Sequence, residues 1–234
     1  MLDRYCKAEA IVLATTDFGD ANRVVTFYTR EFGKVEANAY NCRKSKSPLS
    51  GAMQMFNHIS LEFVKSSPYR VHEADIINFN SISEDLTKLT YASIFFELVN
   101  KMTPLEQPDN DVFILLHNSL HALDKRNPRI AALMASCQFI KDSGFVIEYP
   151  PSMEKIFTLL LNFDWQDSTK FTLKSGELEA AEKIFYKYAQ SLLESPLSSL
   201  KFLKMINSIQ YKYSITKNND STSNKPIESP HCNH

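Results

Sequence analysis

The stretch from Thr15 to Phe56, TTDFGDANRVVTFYTREFGKVEANAYNCRKSKSPLSGAMQMF, constrains the fold more than any other part of the chain. Val24-Val25-Thr26-Phe27-Tyr28-Thr29 is a β-branched and aromatic run, suited to a pleated, half-buried surface. Arg30-Glu31-Phe32-Gly33 interrupts it, and Gly33 can adopt a positive φ that other residues avoid. From Lys34 to Tyr40 the chain alternates, with Val35, Ala37 and Ala39 on one face and Lys34, Glu36, Asn38 and Tyr40 on the other. The loop beyond carries Arg43, Lys44 and Lys46 among serines, and no acidic residue stands between Ala37 and Ser60. These are the marks of a small β-barrel with a basic loop at its mouth, a surface of the kind that binds nucleic acid.

The run DFGDANRVVTFYTREFGKV, followed by RKSKSPLSGAMQMF, resembles the amino-terminal domain of the RecO family of bacterial DNA repair and recombination mediators. The similarity continues through EDLTKLTYASIFFELVNKM, and LESPLSSLKFL resembles that family's closing helix region. No single motif carries the resemblance; the order and spacing of the blocks do.

Three further strands complete the first segment. Tyr5 to Thr16 reads as the first strand and Tyr69 to Ile77 as the fifth, after a turn at Ser66-Ser67-Pro68. Between them, Met55 to Val64 alternates, with Ile59, Leu61 and Phe63 inward and Ser60 and Glu62 outward. Five short strands fit a partly open Greek-key barrel of the OB type or an SH3-like barrel, and periodicity does not separate the two. The resemblance implies OB.

At Ser81 the apolar period changes to that of a helix. Ser81 and Glu84 have capping-box spacing, and Asp85 adds negative charge near the helix start. From Leu86 to Met102 apolar residues wrap most of the circumference, as in the buried centre of a bundle. Asp109 is placed to cap a second helix running to Leu123, and Asn127-Pro128 to open a third. That third helix would bury Ile130, Leu133, Met134, Cys137 and Ile140 and end at Gly144. Further helices are expected over Met153–Phe163, Glu177–Leu193 and Leu197–Tyr213, and the polar stretch from Thr216 reads as a disordered tail. The expected architecture is α+β: an OB-fold DNA-binding domain at 1–80, a helical domain at 81–215 and a tail at 216–234.

RecO relatives often carry a four-cysteine zinc insertion near Gly144–Ser152; here Tyr149-Pro150-Pro151 runs almost directly into the next helix. The four cysteines are scattered without a C-x-x-C pair, so no metal and no cofactor are expected. Met1 to Lys7 is polar, the apolar run Ala10–Leu13 is short, and no span approaches the ~20 apolar residues that cross a bilayer. The expected location is cytoplasmic and nucleoid-associated, with no membrane partner.

With a formal net charge of −1, any electrostatic footprint must come from local segregation. Between Lys34 and Arg70 six cations face only Glu36 and Glu62. The candidate DNA-binding residues are Arg23, Lys34, Tyr40, Arg43, Lys44, Lys46, Lys65 and Arg70. Lys and Arg neutralise phosphates without reading sequence. The bland reading, a solvated hairpin loop kept soluble by its charges, stays open, as does an ion pair of Arg23 with Asp17 or Asp20. Tyr28, Tyr40 and Tyr69 are candidates for base stacking, Tyr40 foremost because it lies on the polar face.

His117 and His121 have metal-sharing spacing, but Asn118 stands where a metalloprotease motif needs Glu, and a packed or rim pair is the simpler reading. His231-Cys232-Asn233-His234 receives no role. No nucleophile elbow, phosphate-binding glycine loop or carboxylate cluster is present, so no catalytic residue is expected. A second basic group, Lys125, Arg126 and Arg129, brackets Asn127-Pro128. The resemblance implies that the helical domain receives the acidic, aromatic-ended tail of the single-stranded-DNA-binding protein. These cations would rim such a pocket, or simply decorate a helix–helix turn.

The resemblance further implies binding of single- and double-stranded DNA, annealing of complementary strands, and cooperation with RecR and the single-stranded-DNA-binding protein to load RecA. The alternative is an adaptor that docks those proteins and touches DNA weakly. An enzyme acting on nucleic acid is the third and least supported class.

Overall fold

A computed structural model describes residues 5–165, 172–206 and 208 of the chain. Five strands close into a barrel: β1 (Tyr5–Phe18), β2 (Asn22–Thr29), β3 (Gly33–Ala39), β4 (His58–Val64) and β5 (Tyr69–Asn78), in the order β1-β2-β3-β5-β4. Closure depends on β1, which is long enough to pair with two neighbours. Ala10 faces Thr29 of β2 and Ile59 of β4, and a register shift between Val12 and Ala14 bends the strand from one partner to the other. All pairings are antiparallel except β3 with β5, which meet at Ala37↔Tyr69 and Asn38↔Arg70. This Greek-key circuit is of the OB type, and the barrel is closed rather than partly open.

The period-two pattern sorts the side chains as the sequence indicates. Val25, Phe27, Val35, Ala37, Ile59, Leu61 and Phe63 fill the interior. The short helix α1 (Leu49–Ala52) joins β3 to β4 and adds Leu49, Ala52 and Met53 to that core. The fourth strand starts at His58 rather than Met55, because Phe56 takes a positive φ of 72° and its amide bonds to the Val12 carbonyl. Phe56 is fully buried and meets Phe96 edge-on at 4.9 Å, which fixes the barrel to the first long helix.

That helix, α2 (Leu86–Met102), buries Tyr91, Ala92, Ile94, Phe95, Phe96, Leu98 and Val99. Its cap differs from the capping-box expectation. Asp85 accepts from the amides of Thr87 and Lys88, whereas Ile82–Glu84 forms a separate 3-10 turn. Ser81 is diverted: its hydroxyl donates to Asp124 Oδ1 at 2.6 Å, and Lys88 Nζ reaches the same oxygen at 3.0 Å. The start of α2 is thereby tied to the end of α3 (Asn110–Lys125), which Asp109 caps. Asn127 caps α4 (Pro128–Asp142), buried on nearly every side, and Gly144 follows it at φ +85°.

After the extended connector come α5 (Glu154–Leu161) and α6 (Ser175–Leu192). Residues 198–206 are helical; the remainder of the expected last helix and the tail lie outside the described residues. The described residues fall into two units, the first ending at Ser199 and the second beginning at Leu200.

One close approach locks the β2–β3 hairpin under the segment that follows α2. Gly33 has φ +67°, and a Cβ added there would lie 2.2 Å from the Gln107 carbonyl oxygen. Beside it, the Glu106 amide bonds to the Lys34 carbonyl. Among the described residues, no helix is long and apolar enough to cross a membrane.

Candidate nucleic-acid interface

The end of the barrel where β1 turns into β2 is also where β3 runs out into the basic loop. The Arg43 amide bonds to the Ala21 carbonyl, and the Asn41 amide bonds to Asn22 Oδ1. Asn41 itself has a φ of 56°, which an asparagine tolerates better than most residues. These bonds bring Arg23, Tyr40, Arg43, Lys44 and Lys46 to one end. Tyr40 is 43% exposed, with its ring edge-on to Phe18 and its hydroxyl accepting from the Asn38 amide. Lys44 and Lys46 are exposed and make no side-chain bond among the described residues.

Two arginines share one acid. Arg23 Nε donates to Asp17 Oδ1 at 2.8 Å, and Arg43 Nε stands 3.2 Å from Asp17 Oδ2. The hydrogen bond from Arg23 holds the Asp17 carboxyl below its ordinary range, with Arg43 helping and partial desolvation opposing. Arg23 also donates to the Met53 carbonyl at 3.4 Å, so its half-buried guanidinium is engaged on two sides. Sequence reasoning named this pairing as an alternative but gave Asp17 no part in the surface. Its signal was an acid six residues before an arginine across a tight turn.

Three of the proposed cations stand apart from this group. Lys34 is buried at 9% exposure; Nζ donates to the Asn100 carbonyl at 2.6 Å, and burial pushes its pKa down. The strand alternation sent it to the outer face correctly, but the end of α2 covers that face there. Lys34 is therefore removed from the DNA-contacting set. Lys65 lies over the Phe32 ring at 4.6 Å, at the opposite end of the hairpin, and Arg70 is exposed on β5. Near them an open groove of about 450 Å³ is lined by Glu36, Asn38, Tyr69 and Glu106. Two carboxylates make that groove a poor host for phosphate.

The other two candidate tyrosines are engaged by neighbours in the fold. Tyr28 is 1% exposed, its hydroxyl meets the Asp109 carbonyl, and burial pushes its pKa up to about 12. Tyr69 stacks on Phe63 and gives its hydroxyl to Glu106, a bond that raises its pKa to about 12.

The second basic group is engaged by partners in the helical region. Arg129 forms a two-bonded pair with Glu182 of α6, at 2.7 and 2.6 Å, and the glutamate is 7% exposed. Lys125 pairs with Asp124 at 2.8 Å, and the Arg126 guanidinium covers the Phe163 ring at 5.3 Å. As a cationic rim for an acidic peptide, the trio is corrected: Arg129 closes α4 against α6.

His117 and His121 border a cleft of about 340 Å³ between the end of β5 and α3. His117 meets His58 edge-on at 5.1 Å. His58 is 3% exposed; its Nδ1 accepts from Asn78, so its Nε2–H donates to Glu9 at 2.7 Å. Among the described residues, no three His, Cys, Asp or Glu side chains gather as a metal site.

Sequence comparison identifies the family. A family model described as "Recombination protein O N terminal" matches residues 1–80, and "Recombination protein O C terminal" matches residues 83–150. A DNA repair protein RecO of Halalkalibacterium halodurans is 26% identical, covering 88% of this chain and 96% of the relative. One from Caldicellulosiruptor saccharolyticus is 27% identical over 88% of each chain, and one from Bacillus mycoides 34% identical over 59% of this chain and 57% of its own. Two matched halves in order, on a closed five-stranded barrel followed by helices, establish that the chain belongs to the RecO family of DNA repair proteins.

Proposed function

We propose that this chain is a recombination mediator that binds single- and double-stranded DNA, anneals complementary strands, and cooperates with RecR and the single-stranded-DNA-binding protein to load RecA. In this reading residues 1–80 form the DNA-binding domain and 81–215 the helical domain. The observation that carries it is the pair Lys44 and Lys46, exposed and unpartnered among the described residues, beside Arg43 at the barrel end. Ammonium groups with no protein partner exchange their counterions for phosphates, which favours any DNA sequence equally. Two strands that repel each other approach once a shared basic surface screens them, and base pairing then drives annealing. No bond is made or broken, so the work requires charge placement rather than a nucleophile or a metal.

The adaptor reading receives less support, because the cations assigned to a partner's acidic tail are engaged with Glu182, Asp124 and Phe163. The test is annealing of complementary oligonucleotides coated with the single-stranded-DNA-binding protein. Arg43→Ala/Lys44→Ala/Lys46→Ala should slow annealing while the melting profile stays that of the parent. Unchanged annealing by the folded triple variant would move the binding face elsewhere.

A further inference from the structure

The cleft between the end of β5 and α3 has a lining the proposed annealing surface does not use. His117, Asn118 and His121 lie on one face of α3 and make no side-chain hydrogen bond among the described residues. Their imidazole and amide groups are unspent donors and acceptors that border one concavity. Across from them, Phe79 is 77% exposed at the lip, the extreme end of a run that also leaves Ile76 and Ile77 more than two-fifths exposed. Trp165, the one tryptophan of the chain, also lines the cleft, its indole nitrogen held by Gln138 Oε1 at 2.5 Å.

The charges are largely spoken for. Asp124 and Lys125, the cleft's carboxylate and its ammonium, pair with each other at 2.8 Å, Lys88 also reaches Asp124, and both ring nitrogens of His58 are bonded. Such a lining selects against a metal ion and against a carboxylate or phosphate as the main guest. It suits a flat, uncharged group with polar edges, and its volume falls within the ~300–1,000 Å³ range of small-ligand clefts.

We propose that this cleft receives an unpaired nucleobase of the DNA strand whose phosphates lie on the basic loop. Phe79 offers a stacking face and Asn118, His117 and His121 bond to the base edge. The covalent path supports continuity between the two places. The basic loop leads directly into α1, a Cβ added at Gly51 of α1 would lie 3.9 Å from Ile76 Cδ1 of β5, and the Asn80 side-chain amide at the cleft donates to the Phe56 carbonyl beyond α1. The inference rests on the proposed DNA-binding function, and it adds a preference: a base still paired in a duplex cannot enter, so the cleft favours single strands.

Trp165 supplies the readout in the full chain. Oligothymidine should quench its fluorescence, whereas an abasic deoxyribose-phosphate strand of equal length should bind without quenching it. Phe79→Ala, at an exposed position that leaves the core intact, should weaken oligothymidine binding about fivefold or more and leave abasic-strand binding unchanged. Asn118→Ala should act in the same direction. Equal quenching by the abasic strand, or a Phe79→Ala protein that binds and quenches as the parent does, overturns the inference alone. Failure of both strands to bind overturns the DNA-binding reading and the cleft with it. Quenching by an acidic, aromatic-ended peptide but not by oligothymidine would assign the cleft to a protein partner and overturn the nucleobase.

Discussion

Arg43-Lys44-Lys46 and Lys125-Arg126-Arg129 are near twins in sequence, three cations within a few residues at a connector, and they part company in space. Among the described residues the first group ion-pairs with Asp17, which takes Arg43 and Arg23 and leaves both lysines without a partner. The second finds Glu182 on α6 and Asp124 on its own helix, and Arg126 lies against an aromatic ring. A cluster of positive charge keeps cations free for a polyanion only where the fold brings it fewer acids than cations. Glu182 is 53 residues from Arg129, so nothing local in the chain could announce the difference.

The strongest way to break the contrast is to remove the arginine that holds the fold. Arg129→Ala leaves Glu182 buried without its partner, and stability should fall by about 2–4 kcal/mol by chemical denaturation, while DNA affinity of the folded fraction stays at the parent value. Loss of DNA binding without loss of stability would place Arg129 on the interface after all. The converse change, Lys44→Ala/Lys46→Ala, should shift stability by no more than about 0.5 kcal/mol and weaken DNA binding at low salt.

Asp17 sharpens the comparison from the other side. Asp17→Asn frees Arg43 without adding a cation, so DNA affinity should rise and its salt dependence should steepen by up to about 0.7 in log–log slope for single strands. A fall in affinity would mean that Asp17 aims Arg43 at the phosphate instead of competing for it.

Acid distinguishes the two groups most gently. Hydrogen bonds from Lys125 and Ser81 hold the Asp124 carboxyl well below the usual range. A depressed folded pKa means that the unfolded chain takes up protons first as pH falls. The stabilisation from Asp124 is therefore complete above the unfolded value near 3.9 and is lost progressively below it. Asp124→Asn should flatten the part of the acid-unfolding curve below about pH 4, measured by circular dichroism, and leave DNA binding at neutral pH unchanged.

Much of the architecture was legible because it follows from period and punctuation. Val35, Ala37, Ile59, Leu61 and Phe63 point inward as alternation requires, and Asp109 and Asn127 cap α3 and α4 as their chemistry suggests. The closed circuit needed more than local pattern, since β1 must serve two neighbours and β3 must meet β5 across a long connection. The site was legible only in part. Alternation put Lys34 on the outer face but could not show that α2 covers it there. Ser81 had capping chemistry, yet Asp124, 43 residues away, claimed its hydroxyl. Tertiary neighbours, invisible in one chain's order, decided which polar groups stayed free.

The most direct measurement is the salt dependence of single-stranded DNA binding for the two charge groups side by side. Each lost phosphate contact should reduce the slope of log affinity against log salt by about 0.7. Lys44→Ala/Lys46→Ala should therefore flatten it by about 1.4, and Lys125→Ala should flatten it by less than half as much. A parent slope retained by the loop variant and lost on changing Lys125 would contradict the account and transfer the DNA to the helices.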